Sequence, residues 1–308
     1  MNTPVFFPAG SEELFGIFTE PSGRPNGVSV LLLAGGGTDP TFGKNQMRRR
    51  LALELADRGF SVLRVNYQGV AESSGNMREV EFDKPWTDDA LGAIRWLESQ
   101  GHRQIAMIGQ CWGARNGMAI ADQVDGLVGL ALIAPPVSDV THQEAILSRP
   151  LSWYVKRAAT LRPQNVAIAW KATGKLRRAL LRRLTRVLTG SRQPRSPGGA
   201  SPGFLEALQS ALRRGVPVLF LYGSADDFYP EFAHLRAGAM GKIADSAGHL
   251  LTVRVVDARL GGMHEVSTQG LAVDTLASWL DTLVRTDSVV GSSRLSASAG
   301  MSASAGMS

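Results

Sequence analysis

Cysteine is almost absent from this chain: one residue, Cys111, in 308. A single thiol excludes an internal disulfide framework, so nothing here asks for an oxidising compartment. Long apolar runs are missing as well. The longest, at 126–137, is too short to span a bilayer and reads as a buried strand. The first residues, Met1-Asn2-Thr3-Pro4-Val5-Phe6-Phe7-Pro8, carry neither a basic region nor an extended apolar core, so no secretory leader is expected. A cytoplasmic protein is the resulting expectation. The run Gly35-Gly36-Gly37 has neither the G-x-G-x-x-G spacing nor the Walker lysine, which argues against a nucleotide site. No cofactor or metal is implied.

What is present is a chain long enough, at 308 residues and 44% hydrophobic, for one large domain with an insertion. Strand patterns fall at 13–19, 27–33, 61–65, 104–109, 126–133, 216–222 and 250–256. Helical patterns lie at 45–58, 86–99, 114–123 and 232–244, and a last helix at 268–284 closes the domain. Such alternation predicts an α/β fold, a mostly parallel sheet covered by helices on both faces. The tail from Asp287 ends in a twice-repeated Ser-Ala-Ser-Ala-Gly-Met, which cannot build a core and is expected to be disordered or an appended remnant.

The one cysteine sits between two glycines, in Gly109-Gln110-Cys111-Trp112-Gly113, after the apolar run 104–108 and before a helical pattern. A strand, a G-x-C-x-G turn and a helix make a nucleophile elbow, with cysteine in the place more often held by serine. The glycines are there because a tight strand-to-helix turn leaves no room for a β-carbon. The helix N-terminus below the sulfur is expected to lower the thiol pKa.

A cysteine nucleophile needs a base, and the base an orienting group. Val216 to Tyr222 is a strong strand run, and Asp226 follows it; the strand pattern at 250–256 is followed by Gly261-Gly262-Met263-His264. Cys111, Asp226 and His264 therefore occur in the order nucleophile, acid, histidine, each just after a strand. Taken singly, the cysteine reads as a buried core residue, the aspartate as a turn residue and the histidine as a loop residue. Three matches in order favour a catalytic triad. The expected oxyanion donors are the N–H of Trp112 and that of Gly36, with Gly37 as second choice after Gly36. Asp139, after the preceding core strand, is the alternative acid.

The segment Gln110-Cys111-Trp112-Gly113 is similar to the elbow of dienelactone hydrolases. Asn66-Tyr67-Gln68-Gly69-Val70-Ala71-Glu72-Ser73-Ser74-Gly75 resembles the family signature D-Y-R-G-x-G-x-S-x-G, departing from it at Asn66, Gln68 and Ala71. The chain thus resembles α/β-hydrolases with a cysteine nucleophile, over roughly residues 10 to 286. It is most similar to the hydrolases associated with exosortase systems, which carry cysteine in the elbow and a basic helical insertion. The resemblance implies an α/β-hydrolase core at 1–138 and 213–286, a helical cap at 139–212 and a low-complexity tail at 287–308. It is specific for fold and triad, and weak for substrate.

The cap is distinctive in charge. From 145 to 205 there is no Asp or Glu, yet the stretch holds thirteen Lys or Arg. The rest of the chain carries 20 basic and 27 acidic residues, so the net charge of +6 is entirely local. Leu176, Leu180, Leu184 and Leu188 recur every four residues with Arg177, Arg178, Arg182 and Arg183 among them, which predicts a basic amphipathic helix. Three readings stay open: a solvated face, a surface for an anionic partner such as a coenzyme A thioester or an acyl carrier protein, or a peripheral contact with anionic membrane. Nucleic acid is set aside, because no reading motif accompanies the patch.

The chemistry these residues predict is acyl transfer through an acyl-cysteine on an ester or thioester substrate. Two alternatives compete with hydrolysis: a nonhydrolytic acyltransferase or cyclising enzyme that off-loads carrier-bound, polyketide-like chains, and a binding protein on a retained hydrolase fold.

Overall fold

The computed structural model describes residues 1–36, 39–139, 199–261, 263 and 265–302, with the side chains of 239 and 285–302 left aside. Eight strands form one sheet: β1 Asn2–Ala9, β2 Glu12–Thr19, β3 Val28–Leu33, β4 Ser61–Val65, β5 Gln104–Gln110, β6 Leu127–Ile133, β7 Val218–Gly223 and β8 Leu251–Val256. Their order is β1-β2-β4-β3-β5-β6-β7-β8. The β1–β2 and β2–β4 pairs are antiparallel, and all pairs from β4 to β8 are parallel.

Every residue of β3, β4 and β7 is buried, as expected of parallel strands covered on both faces. Alternate residues of β3 to β7 feed two cores. Leu31, Leu33, Leu63, Met107, Leu130 and Phe220 face one side, whereas Val30, Leu32, Val62, Ile108, Ile133 and Leu219 face the other. Helices α2 (Thr87–Ser99), α3 (Trp112–Ala119) and α4 (Pro202–Arg213) belong to the first layer; α1 (Met47–Asp57) and α7 (Val266–Ser302) belong to the second. Two shorter helices, α5 (Tyr229–Arg236) and α6 (Ala239–Ala247), follow β7. In α2 the buried Ala90, Ala93, Ile94 and Leu97 recur at helical spacing, and Asp88 and Asp89 in the first turn suit the helix N-terminus. Each fully buried leucine of these cores stabilises the fold by roughly 1.5–3 kcal/mol.

The chain divides into two compact units, Met1–Val137 with Ala200–Ser308, and Ser138–Gly199. Residues 140–198 lie outside the described residues, so the cap helix does too. Helix α4, assigned to the insertion by sequence, instead belongs to the first unit: Phe204, Leu208, Ala211 and Leu212 are buried in its core. Ser201 caps it, accepting a hydrogen bond from the Phe204 N–H, and Pro202 takes the first helical position. The pattern at 232–244 is two helices, α5 and α6, parted at Gly238. Helix α7 continues to Ser302, through most of the segment expected to be disordered. Alanine and serine tolerate helical backbone, and extending a packed helix costs less than nucleating one.

Candidate active site

Strand order reverses at β3, which lies between β4 and β5. In open parallel sheets the crevice for ligands lies at such a switch, outside the carboxyl ends of the strands. The ends of β3 and β5 deliver the glycine-rich loop and Cys111 to that crevice.

Cys111 is the turn residue between β5 and α3, at φ 47 and ψ −109. Non-glycine residues rarely hold such a conformation unless their surroundings over-determine it. Here the Cys111 N–H donates to the Ile133 carbonyl at 2.8 Å, and its carbonyl accepts from the Ala114 N–H at 3.1 Å. A β-carbon on Gly109 would come within 2.5 Å of Ala114 backbone atoms, and one on Gly113 within 2.5 Å of the Leu33 and Ala34 carbonyl oxygens. Glycine is thus a steric requirement at both flanks of the cysteine.

Burial pushes the Cys111 thiol up to about 11, and the negative charges of Asp226 and Asp39 push the same way. The Trp112 amide and Lys44 oppose this but do not overcome it. The expectation that the helix N-terminus makes the thiol acidic is therefore corrected: desolvation of a thiolate outweighs one helix end.

Asp226 is buried behind β7. Its carboxylate accepts two backbone N–H groups, from Gly223 at 2.7 Å and from Gly261 at 2.6 Å. The second of these lies on the loop after β8, three residues before His264 in the chain. Asp226 and Cys111 are thus electrostatic neighbours, and Asp226 is bonded to the loop that leads into the histidine. His264 and Gly37 lie outside the described residues, as do Arg177, Arg178, Arg182 and Arg183. Asp139 is described and partly buried.

The Trp112 N–H, expected to face a substrate oxygen, also donates to the Gly35 carbonyl at 3.2 Å. Space opens at Gly36, where an added β-carbon would meet nothing within 4 Å. The loop is anchored at both ends. The Tyr67 hydroxyl donates to the Ala34 carbonyl at 3.2 Å, and Arg48 donates to the carbonyls of Asp39, at 2.8 Å, and Pro40.

The sequence profile of the Alpha/beta hydrolase family matches residues 30–258. The chain belongs to that family. No curated protein matches it. Solved structures resemble it over nearly the full length. The esterase Pf2001 of Pyrococcus furiosus superposes with a TM-score of 0.59 at 14% identity, covering 93% of this chain and 92% of that one. A proline iminopeptidase of Mycobacterium smegmatis gives 0.56 at 17% identity, covering 92% and 100%. An α/β serine hydrolase without lid from Xanthomonas campestris gives 0.51 at 15% identity, covering 92% and 94%. At these identities the likeness speaks for the fold.

Within this alpha/beta hydrolase, several supporting residues were not singled out from sequence. Arg48 is buried, and loss of water pushes its guanidinium down to about 10. The hint was Arg48-Arg49-Arg50 near the start of a helix, where acidic residues are favoured. Trp112 stacks on Phe82 and meets Trp86 edge-on, with ring centroids 5.7 Å apart in each pair. Asn116 on α3 accepts from the Trp86 N–H at 2.9 Å, which ties α3 to the start of α2. A cleft of about 920 Å³, lined by Arg213, Lys242 and Leu250 among others, includes none of the predicted site residues. No metal-ligand cluster and no membrane-spanning helix occur among the described residues.

Proposed function

We propose that this alpha/beta hydrolase is an acyl-transfer enzyme, an ester or thioester hydrolase that works through an acyl-cysteine on Cys111. One observation carries the reading: a cysteine held at φ 47 in a turn whose two flanking glycines cannot be replaced without a backbone clash. Strain of this kind persists at positions where it serves to present a side chain.

A thiol near 11 is protonated at neutral pH, so a base must take its proton. His264 is the candidate, with Asp226 orienting the ring and stabilising its charge. The thiolate attacks the acyl carbon, and the oxyanion that forms is stabilised by the amides of Trp112 and Gly36. Binding there requires the Gly35 carbonyl to release the Trp112 N–H. As the C–O or C–S bond breaks, the leaving group takes the proton from imidazolium. Water or another acceptor then attacks the thioester, and the acyl product leaves with Cys111 restored as a thiol.

Cysteine suits this role because exchange between thioesters is nearly isoenergetic. That fits activated substrates, and the dienelactone hydrolase-like elbow fits an ester or lactone. The acid-free segment 145–205 supports an anionic substrate or carrier, such as a coenzyme A thioester or an acyl carrier protein. Turnover of a small activated ester tests the assignment. Cys111→Ala should fold normally and be inactive, and Cys111→Ser should retain little activity, because the site is spaced for a larger, more acidic atom. Undiminished turnover by Cys111→Ala would sink it.

A further inference from the structure

Gln269, near the start of α7, is completely buried. A carboxamide gains nothing by leaving water unless its hydrogen bonds are met inside. Three separate stretches of chain meet them. Its Nε2 donates to the Met263 carbonyl at 2.6 Å and to the Lys44 carbonyl at 3.1 Å. Its Oε1 accepts from the Arg50 guanidinium of α1.

Each carbonyl lies in a stretch of chain next to residues of the candidate site. Lys44 begins the short turn after the glycine-rich loop, and Met263 immediately precedes His264 in the chain. Met263 is itself at φ 45, a left-handed conformation unusual for a long side chain. It is pinned on every side: its side chain is buried against the α1–α7 core, its N–H donates to Leu260 at 3.1 Å, and its carbonyl is held by Gln269.

We infer that Gln269 is a positioning residue for the reaction, fixing the turn at Lys44, which follows the glycine-rich loop, and the peptide leading into His264 at one spacing. This rests on the reading of His264 as the base for Cys111. The two protons of one planar –NH2 group point in fixed directions, so satisfying both carbonyls sets the separation of the two loops. Arg50 holds the amide in the orientation that makes Nε2, not Oε1, face them. Gln269 touches neither the substrate nor the sulfur; it acts through the two backbones it joins.

The test reads the rate of Cys111 alkylation by iodoacetamide across pH, beside kcat and KM on a small activated ester. The proteins are wild type, His264→Ala, Gln269→Met and Gln269→Glu. Methionine matches the length of glutamine without its hydrogen bonds. Glutamate keeps Arg50 as partner but loses both N–H donors, so it decides the matter if the methionine variant does not fold. In wild type, a correctly placed imidazole sustains alkylation at neutral pH; in His264→Ala alkylation awaits the higher pH of an unassisted thiol. Both Gln269 variants should shift toward the His264→Ala profile, with kcat lowered on the order of 10²-fold and KM little changed. Folded Gln269 variants with a wild-type profile and kcat would overturn the positioning role and leave the triad standing, even if their melting temperature fell. If wild type and His264→Ala share one profile, the base assignment fails and the role of Gln269 fails with it.

Discussion

Cys111 and Ala71 both hold positive φ without being glycine, for opposite reasons. At Cys111, on the acyl-cysteine reading proposed above, the strained turn serves to present the thiol. Ala71, at φ 49, stands where the resembled signature has glycine, and it is exposed. A β-carbon in the left-handed region costs about 1–2 kcal/mol. Extra freedom of glycine in the unfolded chain offsets about 0.4–1 kcal/mol of the relief. Ala71→Gly should therefore stabilise the fold by about 0.5–1 kcal/mol, seen as a higher urea midpoint with unchanged slope. A lower midpoint would mean that the methyl makes contacts that matter. The Gly-Cys-Gly elbow was readable at this scale because each residue has a steric or chemical reason of its own. The thiol pKa was not readable, since it depends on how much water the folded protein excludes and on charges brought in from Asp226 and Asp39.

The elements around the elbow were legible where apolar patterns ran without interruption, as in β3, β4, β5 and β7. Strand β1 escaped because Pro4 and Pro8 break its pattern; proline is tolerated there because β1 is the sheet edge. Helix α4 was hidden behind a Pro/Gly/Ser-rich stretch, although Ser201-Pro202 is a helix-start signal. At the ends of β7 and β8 one carboxylate joins two loops: Asp226 accepts from Gly223 on one side and from Gly261 on the other. Asp226→Asn places an –NH2 group against one of those N–H donors, costing about 1–3 kcal/mol of stability. It should also lower turnover by up to about 10⁴-fold, the scale of losing a triad carboxylate. Asp139→Asn should leave turnover close to wild type. The reverse pattern, with Asp139→Asn damaging and Asp226→Asn mild, would move the acid to the strand before and favour carrier off-loading.

Across the whole molecule, charge is divided unevenly. The acid-free segment holds thirteen of the 33 basic residues, and the remainder of the chain is net acidic. A field of that kind steers anionic partners and fades over a Debye length of about 8 Å at physiological salt. Replacing Arg177, Arg178, Arg182 and Arg183 by Gln keeps the Leu stripe and removes much of the field. We expect this variant to lose kcat/KM on a coenzyme A or carrier-bound thioester, with a flatter dependence on salt. Its rate on a small neutral ester should hardly change. Loss of binding to anionic vesicles with no effect on soluble substrates would assign the segment to a membrane surface, and no change in either assay would leave it a solvated face. Periodicity and composition made this charge division plain from sequence, as they did the sheet-and-helix layering. The hydrogen bonds of Gln269, which unite residues 44, 50 and 263, could not be read that way, because nothing local marks a glutamine as buried.

Whether Cys111 becomes acylated is the question on which the rest depends. Wild type and Cys111→Ala would be mixed with coenzyme A and carrier-bound thioesters, quenched in acid within one turnover, and weighed intact, with the adduct then located by peptide mapping. Wild type should gain the mass of one acyl group on the peptide containing Cys111, and Cys111→Ala should gain none and turn over no substrate. Turnover in wild type without any adduct on Cys111, matched by equal turnover in Cys111→Ala, would contradict the account.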